Sequence, residues 1–277
     1  MAVTMAKARL YLQRPLGVQY TGTPYNAMAD ESIAYATEFC NSFQQFACLL
    51  RDIALPLTVT TLAAQIASTS ATVITVAANT GMFVGQLILM ESELMAVTVI
   101  SGVTITVTRG ASGTTAATHA NGTALTSRDV QLPADFNTFY KAHLQLQSVR
   151  PLAYVDVRDI DQSWGDPGTV GVPQSCTVYT SGTFASATAR QNLRLNVGST
   201  AVDTVLLRYA RRMDPAGDGT NIDAPPALVY PLLNVAAAHF AQRLVGRTPF
   251  VQGLEKMAED SLGVVTQWDR AQRAPKG

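Results

Sequence analysis

Apolar positions along this chain recur with two different periods. From Asp30 to Ile53, Ile33, Phe39, Cys40, Phe43, Phe46, Leu49, Leu50 and Ile53 follow the spacing of a helix. Asp30 and Glu31 lie in its first turn and Arg51 in its last, matching the helix dipole, and Pro56 stops it. Ala227 to Gly246 predicts a second helix, apolar on most sides and carrying only Arg243 as a charge. A helix of that kind must be buried in a core or between subunits. A third runs from Phe250 to Arg270, with Leu254, Met257, Ala258, Ser261, Leu262, Val265 and Trp268 on one face.

Between the first helix and the later ones the period changes to two. Val103-Thr104-Ile105-Thr106-Val107-Thr108 alternates strictly. Turn signals at Asn79–Gly81, Ser101-Gly102 and Asn121-Gly122 cut the stretch into short strands near 57–62, 72–77, 86–91, 94–100, 103–109 and 123–127. Pro133 to Tyr140 reads as a short helix, Leu193–Val197 and Asp203–Tyr209 as strands, and Ser163 to Gly182 as a long loop. The polar, basic end from Asp269 to Gly277 predicts a flexible tail. The fold expected is α+β: a helical bundle with a small antiparallel sheet, and an inserted all-β domain. Residues 1–53 and 128–277 make the body and 54–127 the insertion.

Charge sharpens that boundary. Only 14% of the 277 residues are charged, against about 25% in ordinary proteins. Residues 54–127 hold three charges, Glu91, Glu93 and Arg109, and 16 of the 31 threonines. The whole chain balances 20 basic against 20 acidic residues, without the basic excess of a phosphate-gripping protein. Cys40, Cys48 and Cys176 have no C-x-x-C spacing, which predicts reduced thiols. The first residues predict no secretory signal, and no run of 18 apolar residues predicts a membrane span.

Candidate chemistry is sparse. His119, His143 and His239 stand at no metal spacing with other ligands. His119 lies near Ser112, Thr114 and Thr115, but no G-x-S-x-G supplies a nucleophile elbow. Gly110-Ala111-Ser112-Gly113-Thr114-Thr115 lacks the lysine of a phosphate loop. Asp156, Asp159 and Asp161 lack the glycine and closing glutamate of a calcium loop. Glu91 and Glu93, two apart on a strand, would point to one face, where they suit either glycoside chemistry or a pairing with Arg109. The expectation is no catalytic residue, no cofactor and no metal.

Four segments carry a resemblance. Thr80-Gly81-Met82-Phe83-Val84-Gly85 is followed by Glu93-Leu94-Met95-Ala96-Val97. Arg109-Gly110-Ala111-Ser112-Gly113-Thr114 and His119-Ala120-Asn121-Gly122 complete the run. This order resembles a β module of tailed-bacteriophage structural proteins: a G-x-x-x-G turn, a Glu-x-Met-x-Val strand, an Arg-Gly-x-x-Gly-Thr turn and a His-x-x-Gly close. The frame around it, with Leu132–Phe136, Leu206–Tyr209, Asp223-Ala224-Pro225 and two closing helices, resembles phage head-to-tail adaptor (connector) proteins.

That resemblance implies a virion structural protein without catalytic activity. It would form a dodecameric ring at the neck, bind the portal, and extend the DNA channel without binding DNA specifically. Its other partners would be copies of itself and tail, nozzle, spike or fibre proteins, with no membrane, and it would assemble in the host cytoplasm. Residues 264–277 would be the portal-docking tail, through Val264, Val265, Trp268, Arg270, Arg273 and Lys276. Alternatives are another tail, baseplate or decoration protein, and a carbohydrate-binding or carbohydrate-active protein using Glu91 and Glu93.

Overall fold

The computed structural model describes residues 3–17, 22–43, 46–146, 151–163, 170–181, 190–215, 217 and 220–273. The chain forms two compact units, one from 1–51 with 210–277 and the other from 52–209.

The first unit is helical. Helices α1 (Met5–Gln13) and α2 (Thr23–Phe43) come from the start of the chain. Near its end lie two more, α4 (Pro226–Val245) and α5 (Pro249–Arg273), the short α3 (Val157–Ser163) belonging to the other unit. Helix α4 is the centre of this core: Leu228, Leu232, Ala236 and Phe240, each four residues apart, are all fully buried. Pro226 at its first position gives up an amide that would have no partner in the helix. Thr4 caps α1, its hydroxyl accepting from the Lys7 amide.

The second unit is built from sheets. Its strands in chain order begin with β1 (Leu50–Pro56), β2 (Val59–Thr61), β3 (Val73–Thr75) and β4 (Leu87–Met90). Then come β5 (Glu93–Ser101), β6 (Thr104–Thr108), β7 (Ala124–Thr126), β8 (Asp129–Gln131) and β9 (Phe136–Leu144). The last are β10 (Ala153–Tyr154), β11 (Val170–Gly171), β12 (Ser175–Ser181), β13 (Arg190–Leu195), β14 (Gly198–Ser199) and β15 (Thr204–Arg211). A six-stranded antiparallel sheet runs β2-β7-β4-β5-β6-β3. It curls until its edges meet: Leu62 bridges Val76, and the Ala77 amide donates to the Thr61 carbonyl at 2.8 Å. The result is a small barrel without free edge strands. Ile88, Met90, Met95, Ile105 and Leu125 fill it. Sheets of order β10-β12-β13-β8, β1-β15-β9 and β11-β14 make up the rest, around a core that includes Leu144, Leu193, Leu195 and Leu207.

This overturns the expected helical bundle with a small sheet. Among the described residues strand takes 33% and helix 35%, a large curled sheet is present, and the α-helices number five. Two segments account for much of the difference. The helix expected over 30–53 ends at Phe43, and Phe46 and Leu49 enter the helical core around a short 3-10 turn. Leu50–Pro56 is then extended and buries Leu55 in the second unit. Phe136–Leu144, half of which read as helix, is a strand with Phe136, Ala142 and Leu144 on one buried face. Even spacing is the strand period, and an apolar run this short satisfies both templates. Part of the loop expected over 163–182 is β12. Helix α5 also runs on through Arg273, into the stretch read as a flexible tail.

Candidate functional site

Three polar residues singled out in the β module, Glu93, Arg109 and His119, converge in a buried cluster against the loops of the barrel. Glu93 opens β5, and Arg109 follows β6, the adjacent strand. The guanidinium grips both carboxylate oxygens of Glu93, Nε to Oε1 and Nη2 to Oε2, each at 2.7 Å. The Gly110 amide donates to Oε1 at 3.1 Å and the Ala117 amide to Oε2 at 2.9 Å. His119 Nε2 lies 2.9 Å from Oε2, and its Nδ1 lies 2.8 Å from a carboxylate oxygen of Glu91. The side chains of Glu93, Arg109 and His119 are 0%, 6% and 1% exposed.

Arg109 also ties down loops. Its Nη1 donates to the carbonyls of Ala71 at 2.9 Å and Ser68 at 3.3 Å, and its Nη2 donates to the Ala117 carbonyl. His119 pairs its backbone with Ile66, amide to carbonyl in both directions. The loops 63–72 and 110–123 are therefore braced by one buried charged cluster. Burial pushes the Glu93 carboxyl up, but Arg109, the Ala117 amide, His119 and the Gly110 amide overcome it and hold the group at about 2. A carboxylate so saturated with donors is a brace and not a proton donor at neutral pH.

Glu91 is not on a strand with Glu93. It occupies the two-residue turn between β4 and β5, at φ +52°, and its side chain is 60% exposed. Its pairing with His119 opposes the backbone strain of a left-handed non-glycine residue. Thr114 Oγ1 accepts from the Leu94 amide at 3.0 Å. Two motif glycines are dictated by geometry. Gly81 (φ +76°) and Gly110 (φ +63°) are left-handed, and a Cβ would sit 2.7 Å from the Pro56 carbonyl and 2.8 Å from the Thr114 carbonyl. Gly85, Gly113 and Gly122 lie in the connecting turns, away from the carboxylate cluster.

The residues picked out near the C-terminus divide differently. Val264 and Trp268 are exposed on α5, whereas Val265 is buried in the helical core. Arg270 is exposed on the last turns of α5. The Arg273 side chain and Lys276 lie outside the described residues. His239 stacks on Tyr35 at 4.2 Å and lies 3.1 Å from the Ser32 hydroxyl. Burial, and then Arg243, push its pKa down, while Glu31 opposes them.

The structure adds a second buried pair that the sequence did not suggest. Asp129 on β8 is the register partner of Arg194 on β13 and accepts from its Nε at 2.9 Å. Arg194 also covers the Tyr179 ring at 4.4 Å. These residues are 65 positions apart, so no local spacing could reveal them. Among the described residues, no cluster of three or more His, Cys, Asp or Glu side chains is placed to hold a metal ion. No helix described is long and apolar enough to cross a membrane. No protein-family profile matches the chain, and no curated protein matches its sequence.

Proposed function

We propose that this chain is a structural protein of a tailed-bacteriophage particle, a head-to-tail adaptor without catalytic activity. Its copies form a ring at the neck, between portal and tail, and extend the channel through which DNA passes. The observation that carries this reading is the role of the β-module motif: Glu93, Arg109 and His119 close on one another and brace two loops of a barrel. A motif used in that way builds a rigid module for assembly, not a reaction centre.

The surface of that module fits the same reading. Of the three charges in residues 54–127, Glu93 and Arg109 are buried, leaving Glu91 as the exposed one. A threonine-rich face with so little charge neither grips phosphate nor repels it. It suits contact with neighbouring subunits, or with tail, nozzle, spike or fibre proteins, and passage of DNA without specific binding. The basic end of α5, from Arg270 onward, docks on the portal.

The test is the copy number of this chain in purified particles, measured by quantitative mass spectrometry against the major capsid protein. About a dozen copies per particle is the expected result for a ring at one vertex. Hundreds would make it a tube or decoration protein, and absence would overturn the virion reading.

A further inference from the structure

Helix α5 carries two apolar stripes. Val251, Leu254, Ala258, Leu262 and Val265 are buried in the helical unit. Phe250, Met257, Val264 and Trp268 form a second stripe, and they are 46%, 43%, 67% and 49% exposed. Successive residues turn by about 100°, so these four fall within roughly 40° of one another and make a continuous ridge. Their steps of seven, seven and four residues are those with which one helix meets another. An exposed ridge of large apolar side chains marks a contact surface.

The same unit offers a groove on the other flank of α5. Its floor is Val235, Ala238 and His239 of α4, and its walls are Tyr35 and Phe39 of α2 and Leu262 of α5. The α5 positions facing it, Glu255, Ala258, Glu259 and Leu262, lie roughly 145° around the helix from the ridge. A helix cannot place its ridge in a groove on its own opposite flank, but a second copy of the chain can. Charge agrees. Arg247, Glu255 and Glu259 rim the groove, and Lys256 and Asp260 follow the ridge on its solvent side. Among the described residues none of these five has an ion-pair partner within the chain.

We propose that the α5 ridge of one copy seats in the α2–α4–α5 groove of the next. Such a contact joins two different patches, and its repetition around an axis whose rotation closes makes a ring. It names the self-contact on which the adaptor reading depends and rests on that reading.

Gln242 of α4 also lines the groove, so ridge variants (Val264→Asp, Trp268→Glu) and groove variants (Tyr35→Glu, Gln242→Trp) alter exposed positions, and circular dichroism verifies that each one folds. Native mass spectrometry then reads assembly in the micromolar range. Wild-type chain is expected to form closed oligomers, and each variant alone to associate at least tenfold more weakly. A ridge variant mixed with a groove variant is expected to give dimers of one copy each, since that pair retains one intact ridge and one intact groove. Variants that assemble like wild type, mixtures that stay monomeric, or a wild-type chain that stays monomeric would each overturn the contact. The copy-number result is independent: a dozen copies with unaffected variants removes this contact and leaves the adaptor reading standing. Absence from particles with mixed dimers formed does the reverse.

Discussion

The barrel and the helical unit use charge in opposite ways. In the barrel, two of three charges are sealed inside and tie strands to loops. Among the described residues, the ion pairs that join one helix of the helical unit to another lie on the outside: Arg9 with Asp30 and Arg243 with Glu31 meet across positions that are a third or more exposed, while Arg211 with Asp223, at the end of β15, is more buried. Exposed pairs are screened by water and contribute little, whereas breaking a buried pair leaves an unpaired ion in an apolar interior. The same residue types therefore hold the barrel's loops in one place and decorate a rim in the other. The helical unit draws its stability from α4, whose apolar side chains are covered nearly all round.

The sharpest way to break that comparison is Arg109→Ala. It strands a buried Glu93 carboxylate, and a loss of about 3–5 kcal/mol is expected. Hydrogen exchange should show the protection of residues 59–126 collapsing, and unchanged exchange would refute the brace. Acid should do the same by titration. Glu93 is held at about 2, below its ordinary value of 4.5. Its contribution is therefore complete above pH 4.5 and lost as pH falls through 2, for up to about 3 kcal/mol. Denaturant melts between pH 6 and 2 check this, and a Glu93→Gln variant should flatten the dependence. Gly81→Ala comes next, combining a left-handed backbone with a Cβ 2.7 Å from a carbonyl oxygen, and about 1–3 kcal/mol is expected in thermal unfolding. Last is Arg243→Ala, which removes an exposed pair of the helical unit and should change stability by less than about 1 kcal/mol. A larger loss there than at Arg109 would invert the comparison.

Much of the local architecture was legible in the residues. The expected strands at 72–77, 86–91 and 103–109 correspond to β3, β4 and β6, because strict alternation with glycine turns admits few other structures. The helices over 227–246 and 250–270 correspond to α4 and α5. Arg109 as the partner of Glu93 was also legible, since it is the one basic residue of the charge-poor stretch. The sites that resisted reading depend on long-range partners. Asp129 meets Arg194 only through strand register, and the five-fold engagement of Glu93 requires the 110–117 loop to fold back over it.

By itself, then, the sequence determined the periods, the turns and the charge-poor window, because these follow from nearest-neighbour sterics and solvation. Tertiary structure alone decided the rest. Leu50–Pro56 and Phe136–Leu144 became strands because their apolar faces found sheet partners. Glu93 and Glu91, two residues apart, were separated into a buried brace and an exposed turn by where β5 begins. Val264 and Val265, adjacent in the chain, were likewise separated into an exposed ridge and a core, because each residue turns a helix by about 100° and neighbouring helices cover only part of its surface.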